Sequence, residues 1–171
     1  MGISLLEVSV GKASLGAMST LDFKDCSTPY EKLAKIARQV SDVIDTYTPN
    51  YLAIESPFFG KNVQSMLKLG RAQGVAIAIA VNKGLQVYEY TPLKIKMAIT
   101  GNGASSKEQV AIMLERFLHI DKERMQVKLD ATDALAAAYC HYLQLGIPTT
   151  DATHYKSWKE FVTKNDSIIK R

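Results

Sequence analysis

Residues Ile3 to Val10 alternate loosely between apolar and polar and are rich in strand formers, and Ser14 to Leu21 repeats the pattern. Gly11-Lys12 between them reads as a turn, so the two runs predict a β-hairpin. From Tyr30 the period changes: Tyr30, Leu33, Ala37, Val40, Ile44 and Tyr47 recur at helical spacing. Thr28-Pro29-Tyr30-Glu31 is a capping box with proline at the first helical position, and Pro49-Asn50 ends the helix. Tyr51 to Ile54 is a short apolar strand that stops at Glu55. A loop over Ser56 to Lys61 follows, and Asn62 opens a long helix to about Val81. Gln86 to Tyr90 is another strand. Thr91-Pro92 starts a short helix that ends at Gly101-Asn102-Gly103. Ser105 and Glu108 cap the next helix, with Val110, Leu114 and Phe117 expected to face inward. The last strong helix runs from about Asp130 to Leu145 and is closed by Gly146 and Pro148. A hairpin followed by strand–helix–strand–helix predicts an α/β fold, a mixed sheet flanked by helices. Residues 1–148 are expected to form the domain. Residues 149–171 are expected to form a basic tail with one amphipathic turn around Trp158, Phe161 and Val162.

Composition narrows the class. A chain of 171 residues suits one domain with a real hydrophobic core. The longest apolar run, Val75 to Val81, is far too short to span a bilayer, and Met1-Gly2-Ile3-Ser4 has no signal-peptide character. No membrane partner is expected. Two cysteines, Cys26 and Cys140, form neither a disulfide framework nor a zinc set; Cys140 falls in an apolar helical run and reads as a buried thiol. A reducing cytoplasm is the expected compartment. The net charge of +4 permits a polyanionic partner without requiring one. Its distribution is more telling: Lys94, Lys96 and Lys107 fall in one short region, and Lys156 to Arg171 is also basic.

Three places carry candidate chemistry. Glu55 follows four sheet-type apolar residues and so stands at the carboxyl end of a strand, where open α/β sheets place their ligand crevices. Asp130 and Asp133 are three apart at the start of a helix and share a face. An N-cap with a first-turn acid accounts for that pair by itself. The helix beyond them is small and apolar, however, and itself carries no lysine or arginine as counter-charge, the nearest being Lys128 just ahead of it. Three carboxylates from separate segments make the oxygen-rich donor set that Mg²⁺ prefers. Phe58-Phe59-Gly60-Lys61 puts two aromatics beside a base in a loop, and one of the two is expected to plug the core while the other stacks on nucleobases. In the long helix, Gly70, Gly74 and Ala78 form a small-residue ridge. That ridge serves either close packing onto the sheet or a symmetric dimer contact.

These motifs resemble a family. Ala53-Ile54-Glu55-Ser56-Pro57-Phe58-Phe59-Gly60-Lys61-Asn62 and Ser65-Met66-Leu67-Lys68-Leu69-Gly70-Arg71-Ala72-Gln73-Gly74-Val75-Ala76 are similar to the central block of bacterial RuvC, the Holliday-junction resolvases. So are Lys94 to Lys107 with the Gly101-Asn102-Gly103 loop, and Asp130-Ala131-Thr132-Asp133-Ala134-Leu135-Ala136. The resemblance runs from about Glu7 to Leu145. It implies an RNase H-like fold, a homodimer, four-way junction DNA as substrate, and paired strand cleavage with Mg²⁺, two ions per active site. It also implies the RuvA and RuvB branch-migration proteins as partners. By position, Glu55, Asp130 and Asp133 match three of the family's four metal carboxylates. Phe58 matches the aromatic that engages bases at the junction centre. Lys96 and Lys107 match basic residues near the scissile phosphate, and Lys61 and Lys94 are further candidates for DNA contact.

The sequence departs from the family at its front. The family opens with an apolar strand ending in Gly-Ile-Asp-Pro-Gly, which supplies the first catalytic aspartate, whereas Met1 to Val8 resembles the family's second strand. The expectation is a start at an internal methionine or an engineered shortening, with the hairpin either separated from the Tyr51–Glu55 strand or shifted to meet it. Three functions compete: a junction-resolving endonuclease, a non-catalytic junction-binding protein, and a nuclease of the same fold acting on linear nucleic acid. The Phe58 loop and the Gly70 ridge argue against the third.

Overall fold

The structure, a computed structural model, describes residues 1–57, 63–121 and 129–145. Two hairpin strands, β1 (Gly2–Ser9) and β2 (Lys12–Thr20), come first. They are followed by α1 (Pro29–Tyr47), β3 (Tyr51–Glu55), α2 (Val63–Asn82), β4 (Gln86–Tyr90), α3 (Pro92–Thr100), α4 (Lys107–Leu118) and α5 (Leu129–Leu145). Phe58, Phe59, Lys61 and Asn62 lie outside the described residues, as do Gly146, Pro148 and the whole of 149–171.

Local chemistry sets most of these boundaries. The Thr28 hydroxyl accepts from the Glu31 amide while the Glu31 carboxylate accepts from the Thr28 amide, the expected reciprocal cap of α1. Gly101, in the left-handed region at φ 73°, closes α3. Two details differ from expectation. The hairpin turns at Val10-Gly11, because a two-residue loop needs φ > 0 at both central positions and both residues adopt it. The cap of α4 is Ser106 with Gln109, not Ser105 with Glu108, since Ser105 is buried with its hydroxyl 2.8 Å from that of Thr100.

The apolar stripes also end differently. Ile36, Val40 and Ile44 are buried in α1, while Tyr30 and Tyr47 are exposed; in α4, Val110, Leu114 and Leu118 are buried and Phe117 turns outward to stack on Tyr139. Val40, Ile44, Val110 and Leu114 are buried as expected, whereas Tyr30, Tyr47 and Phe117 lie a fraction of a turn off the core face, where an aromatic can lie half-out along the helix surface.

Strand alternation divides the core into two layers. Leu52 and Val87 join α1 and α2 on one face of the β3–β4 pair, and their neighbours Ala53 and Tyr88 join α3, α4 and α5 on the other. The hairpin alternates likewise, with Ile3 toward α1 and α2 and Leu6 toward α5. Helices therefore cover both faces, as expected. The strands, however, form two separate two-stranded sheets: β1 with β2 antiparallel, β3 with β4 parallel. Between them is a cavity of about 1350 Å³ lined by Met1 to Val8 of the hairpin and Tyr51 to Glu55 of β3. Ala134, Ala137 and Ala138 of α5 form its floor, and Val40, Ile44, Ala72 and Ala76 of α1 and α2 form its roof.

Candidate active site

α5 fixes the geometry. β1 runs along it in the same direction: the Met1 ammonium lies 3.2 Å from the Asp130 carboxylate, and the Ser4 hydroxyl donates to the Ala131 carbonyl at 2.7 Å. Further along, Tyr142 donates to the Gly11 carbonyl. Gly2 passes so close to Asp130 that a Cβ there would collide with its carbonyl, so this approach requires glycine. β3 runs the opposite way, with Tyr51 against His141 and Glu55 toward Asp133. The carboxyl end of β3, the amino end of β1 and the first turn of α5 therefore share one end of the cavity.

Glu55, Asp130 and Asp133 all line that cavity. Burial raises the Glu55 pKa above the usual glutamate value, and the neighbouring Asp133 charge raises it further; Lys107 and Lys96 pull it back. The Lys107 ammonium donates to Asp133 at 2.5 Å, and that hydrogen bond, followed by the Asp133, Glu55 and Asp130 charges, raises the lysine pKa. The counter-charge to Asp133 that α5 itself lacks is supplied by Lys107 at the start of α4. Ion pairs with partners this exposed contribute about 0–1 kcal/mol, so an incoming cation or phosphate can displace them. Among the described residues no three acid, histidine or cysteine side chains stand close enough to hold a metal ion. The donor chemistry of three carboxylate side chains nevertheless suits a hard divalent cation.

The remaining predicted residues divide. Lys96 is half-buried and within electrostatic reach of Glu55. Lys94 sits over the Tyr90 ring, 5.0 Å from its centroid, on the α3 side. Phe58 and Lys61 lie outside the described residues. The Gly70 ridge does not pack onto the sheet: among the described residues a Cβ at Gly70 or Gly74 would meet nothing within 4 Å, and Gly74 and Ala78 are exposed. It is Ala76 and Ala80 that α2 buries. Two residues escaped sequence reasoning. Gln73 donates to the Glu55 main-chain carbonyl at 2.5 Å and tethers the end of β3. His141 is buried, with Nδ1 2.7 Å from the Tyr90 hydroxyl, its ring packed against Tyr88 and Tyr51, and its pKa lowered by burial. Nothing local in the sequence marked either residue.

Helices on both faces of paired strands, with carboxylates and lysines gathered at one strand end, define an α/β protein of the RNase H-like class. The family profile for "Crossover junction endodeoxyribonuclease RuvC" matches residues 2–141. The chain belongs to the RuvC family. It is 54% identical over 170 residues to the RuvC of Bacteroides fragilis, covering 99% of this chain and 90% of that one. The RuvC of Porphyromonas gingivalis is 46% identical over 172 residues, covering 99% and 91%. A solved structure of T. thermophilus RuvC in complex with Holliday junction substrate superposes with a TM-score of 0.78 at 28% identity, covering 86% of this chain and 89% of that one. No described helix is long and apolar enough to cross a membrane.

Proposed function

We propose that this protein resolves four-way DNA junctions by hydrolysing phosphodiester bonds, with Glu55, Asp130 and Asp133 as its acidic residues. The observation that carries this reading is the charge pattern around Glu55: Asp133 stands beside it while Lys107 and Lys96 act on it from α4 and α3. Acids to hold cations and ammonium groups to hold a phosphate are both needed to cut a polyanion. Glu55, Asp130 and Asp133 would hold Mg²⁺, which would supply charge stabilisation and an activated water there. Lys107 is placed to exchange Asp133 for a phosphate oxygen, and Lys96 to hold the strand beside it. Phe58 stacks on bases at the junction centre, with Lys61 and Lys94 on neighbouring phosphates.

Symmetric cutting needs two such sites at fixed separation. The outward face of α2, where Leu67, Gly70, Gly74, Ala78 and Val81 align, is the proposed contact between two copies. Glycine costs roughly 1 kcal/mol inside a helix, and two glycines that meet nothing among the described residues suit a close approach from outside. RuvA and RuvB are the proposed partners on junction DNA, and the cytoplasm is the proposed compartment.

The test is a synthetic four-way junction incubated with the protein in Mg²⁺, beside a gel shift in Ca²⁺. Paired nicks on opposing strands are expected. Retention in the gel with no nicks would make the protein a junction binder, and equal cutting of linear duplex would remove the junction from its function.

A further inference from the structure

The outward face of α3 is apolar. Leu93 and Met97, one turn apart, are 63% and 49% exposed, while Ile95 and Ile99 on the opposite face are buried in the core. At about 100° per residue, Lys94 and Lys96 fall on either flank of that pair, so two ammonium groups border two bare hydrocarbon side chains. Lys94 now rests over the Tyr90 ring, a weak contact that it can exchange for a phosphate. The stretch from Thr91 to Lys107 carries these lysines, Lys107 itself and no carboxylate. The apolar pair is also held in place. A Cβ at Gly103 would collide with Leu93 Cδ1 and reach Met97 Cγ, so the loop after α3 lies against both side chains. That loop is fixed in turn by the Thr100 hydroxyl, which accepts from the Asn102 amide at 3.2 Å, and by the Asn102 side chain, which accepts from the Ala104 amide at 2.9 Å.

Exposed apolar side chains between cations fit a polyanion that has apolar parts of its own. The core of a protein–protein interface is depleted of charge, and a major-groove reader carries donors and acceptors for base edges. Leu93 and Met97 offer no donor and only a weak sulfur acceptor. In the minor groove, leucine and methionine press on sugars and base steps while basic residues hold the phosphates. That groove is roughly 6 Å wide and a helix with its side chains is roughly 10–12 Å across, so α3 rests over the groove and its lysines reach the two rims.

We infer that Leu93 and Met97 form an apolar ridge that seats on the minor groove of a junction arm beside the cut, with Lys94 and Lys96 on the phosphates of its two strands. The inference rests on the nuclease reading, because Lys96, within electrostatic reach of Glu55, is what ties this face of α3 to the acidic end. It adds an uncharged contact to a surface otherwise held by ammonium groups.

The test compares the parent protein with two double variants on a synthetic four-way junction in Ca²⁺. Leu93→Gln with Met97→Gln removes the ridge, and Leu93→Met with Met97→Leu keeps it apolar. Both positions are exposed, so both variants should melt with the parent. The glutamine variant should bind about tenfold more weakly. Its slope of log affinity against log salt should be unchanged, because an apolar contact releases no counterions. The swapped variant should bind like the parent. Hydroxyl-radical footprints, which read sugars from the minor groove, should lose one short protected stretch next to the cut in the glutamine variant alone. Dimethyl sulfate reactivity at guanine N7, a major-groove atom, should be the same with all three proteins. Parent-like binding or an unchanged footprint in the glutamine variant would overturn the ridge and leave junction binding standing. Equal weakening of the swapped variant would show packing beneath α3 instead of an apolar contact. A shallower salt slope would trace the loss to disturbed lysines, and altered N7 reactivity would put α3 in the major groove; either overturns the inference. A parent that binds no junction would remove the nuclease reading and the inference with it.

Discussion

The first turn of α5 carries Asp130 and Asp133, partly exposed, with Asp133 met by the Lys107 ammonium at the start of α4. About two turns beyond Asp133, the same helix carries His141, buried among Tyr51, Tyr88 and Tyr90. Both ends line one cavity, yet one is held by weak, exchangeable ion pairs and the other by packing and a neutral hydrogen bond. The chemistry is placed where partners can be displaced cheaply, and the rigidity where nothing can enter without breaking a close-packed ring cluster. Substitutions at the first end should therefore change activity and leave stability nearly intact, and substitutions toward the second should do the reverse.

The sharpest break comes from the acids. Glu55→Gln and Asp133→Asn should each lower Mg²⁺-dependent junction cleavage by more than about a thousandfold, equivalent to about 4 kcal/mol in the barrier. Junction binding in Ca²⁺ and the melting temperature should stay near the parent's. A lowered melting temperature matching the lost activity would mean the acids are structural. Next in size is Leu135, fully buried between the two ends: Leu135→Ala should cost about 2–5 kcal/mol of stability in urea melts, through lost transfer energy and the cavity left behind. An effect below that range would show that α5 tolerates repacking.

Lys107→Ala should weaken junction binding at low salt and reduce the slope of log affinity against log salt by about 1, as for the loss of one phosphate contact. An unchanged slope would confine Lys107 to its Asp133 partner. The smallest effect is a pH dependence. Burial holds the His141 pKa below its ordinary value of 6.5, so below that pH the unfolded chain takes up a proton that the folded one refuses. Stability from this residue is therefore complete above the ordinary histidine range and falls as pH drops through it toward the lower folded-state value. His141→Gln should flatten the melting-temperature profile between neutrality and mild acid. An unaltered profile would assign the acid sensitivity to other groups.

What could be foreseen in the sequence follows the range of the interactions. Thr28 and Glu31 cap one another across one turn, Gly101 terminates its own helix, and Glu55 sits where a five-residue apolar strand must end; all are local and legible. The choice between Ser105 and Ser106 turned on a hydroxyl contact with Thr100, which two adjacent serines cannot reveal. The partner of Asp133 lies 26 residues away. Charge pairing at such separations has no periodic signature. The same holds for the aromatic cluster around His141, assembled from β3, β4 and α5. The division of the strands into two sheets is a property of neighbours in space, so the hairpin and the β3–β4 pair were each foreseeable and their separation was only one of two expected outcomes.

The contacts that seat β1 on α5 span almost the whole chain: Met1 to Asp130, Ser4 to Ala131, and Gly11 to Tyr142. During synthesis the hairpin leaves the ribosome well before the helix it rests on. At about 5–20 residues per second, that leaves several seconds in which a two-stranded ribbon, marginal by itself in water, carries Leu5 and Leu6 with no surface to cover them. Closure of this long loop is a late step, and its delay exposes the nascent hairpin to pairing with other chains. Appending the α5 sequence ahead of the hairpin by circular permutation would shorten the wait, and it should raise the soluble yield without altering any contact in the finished fold.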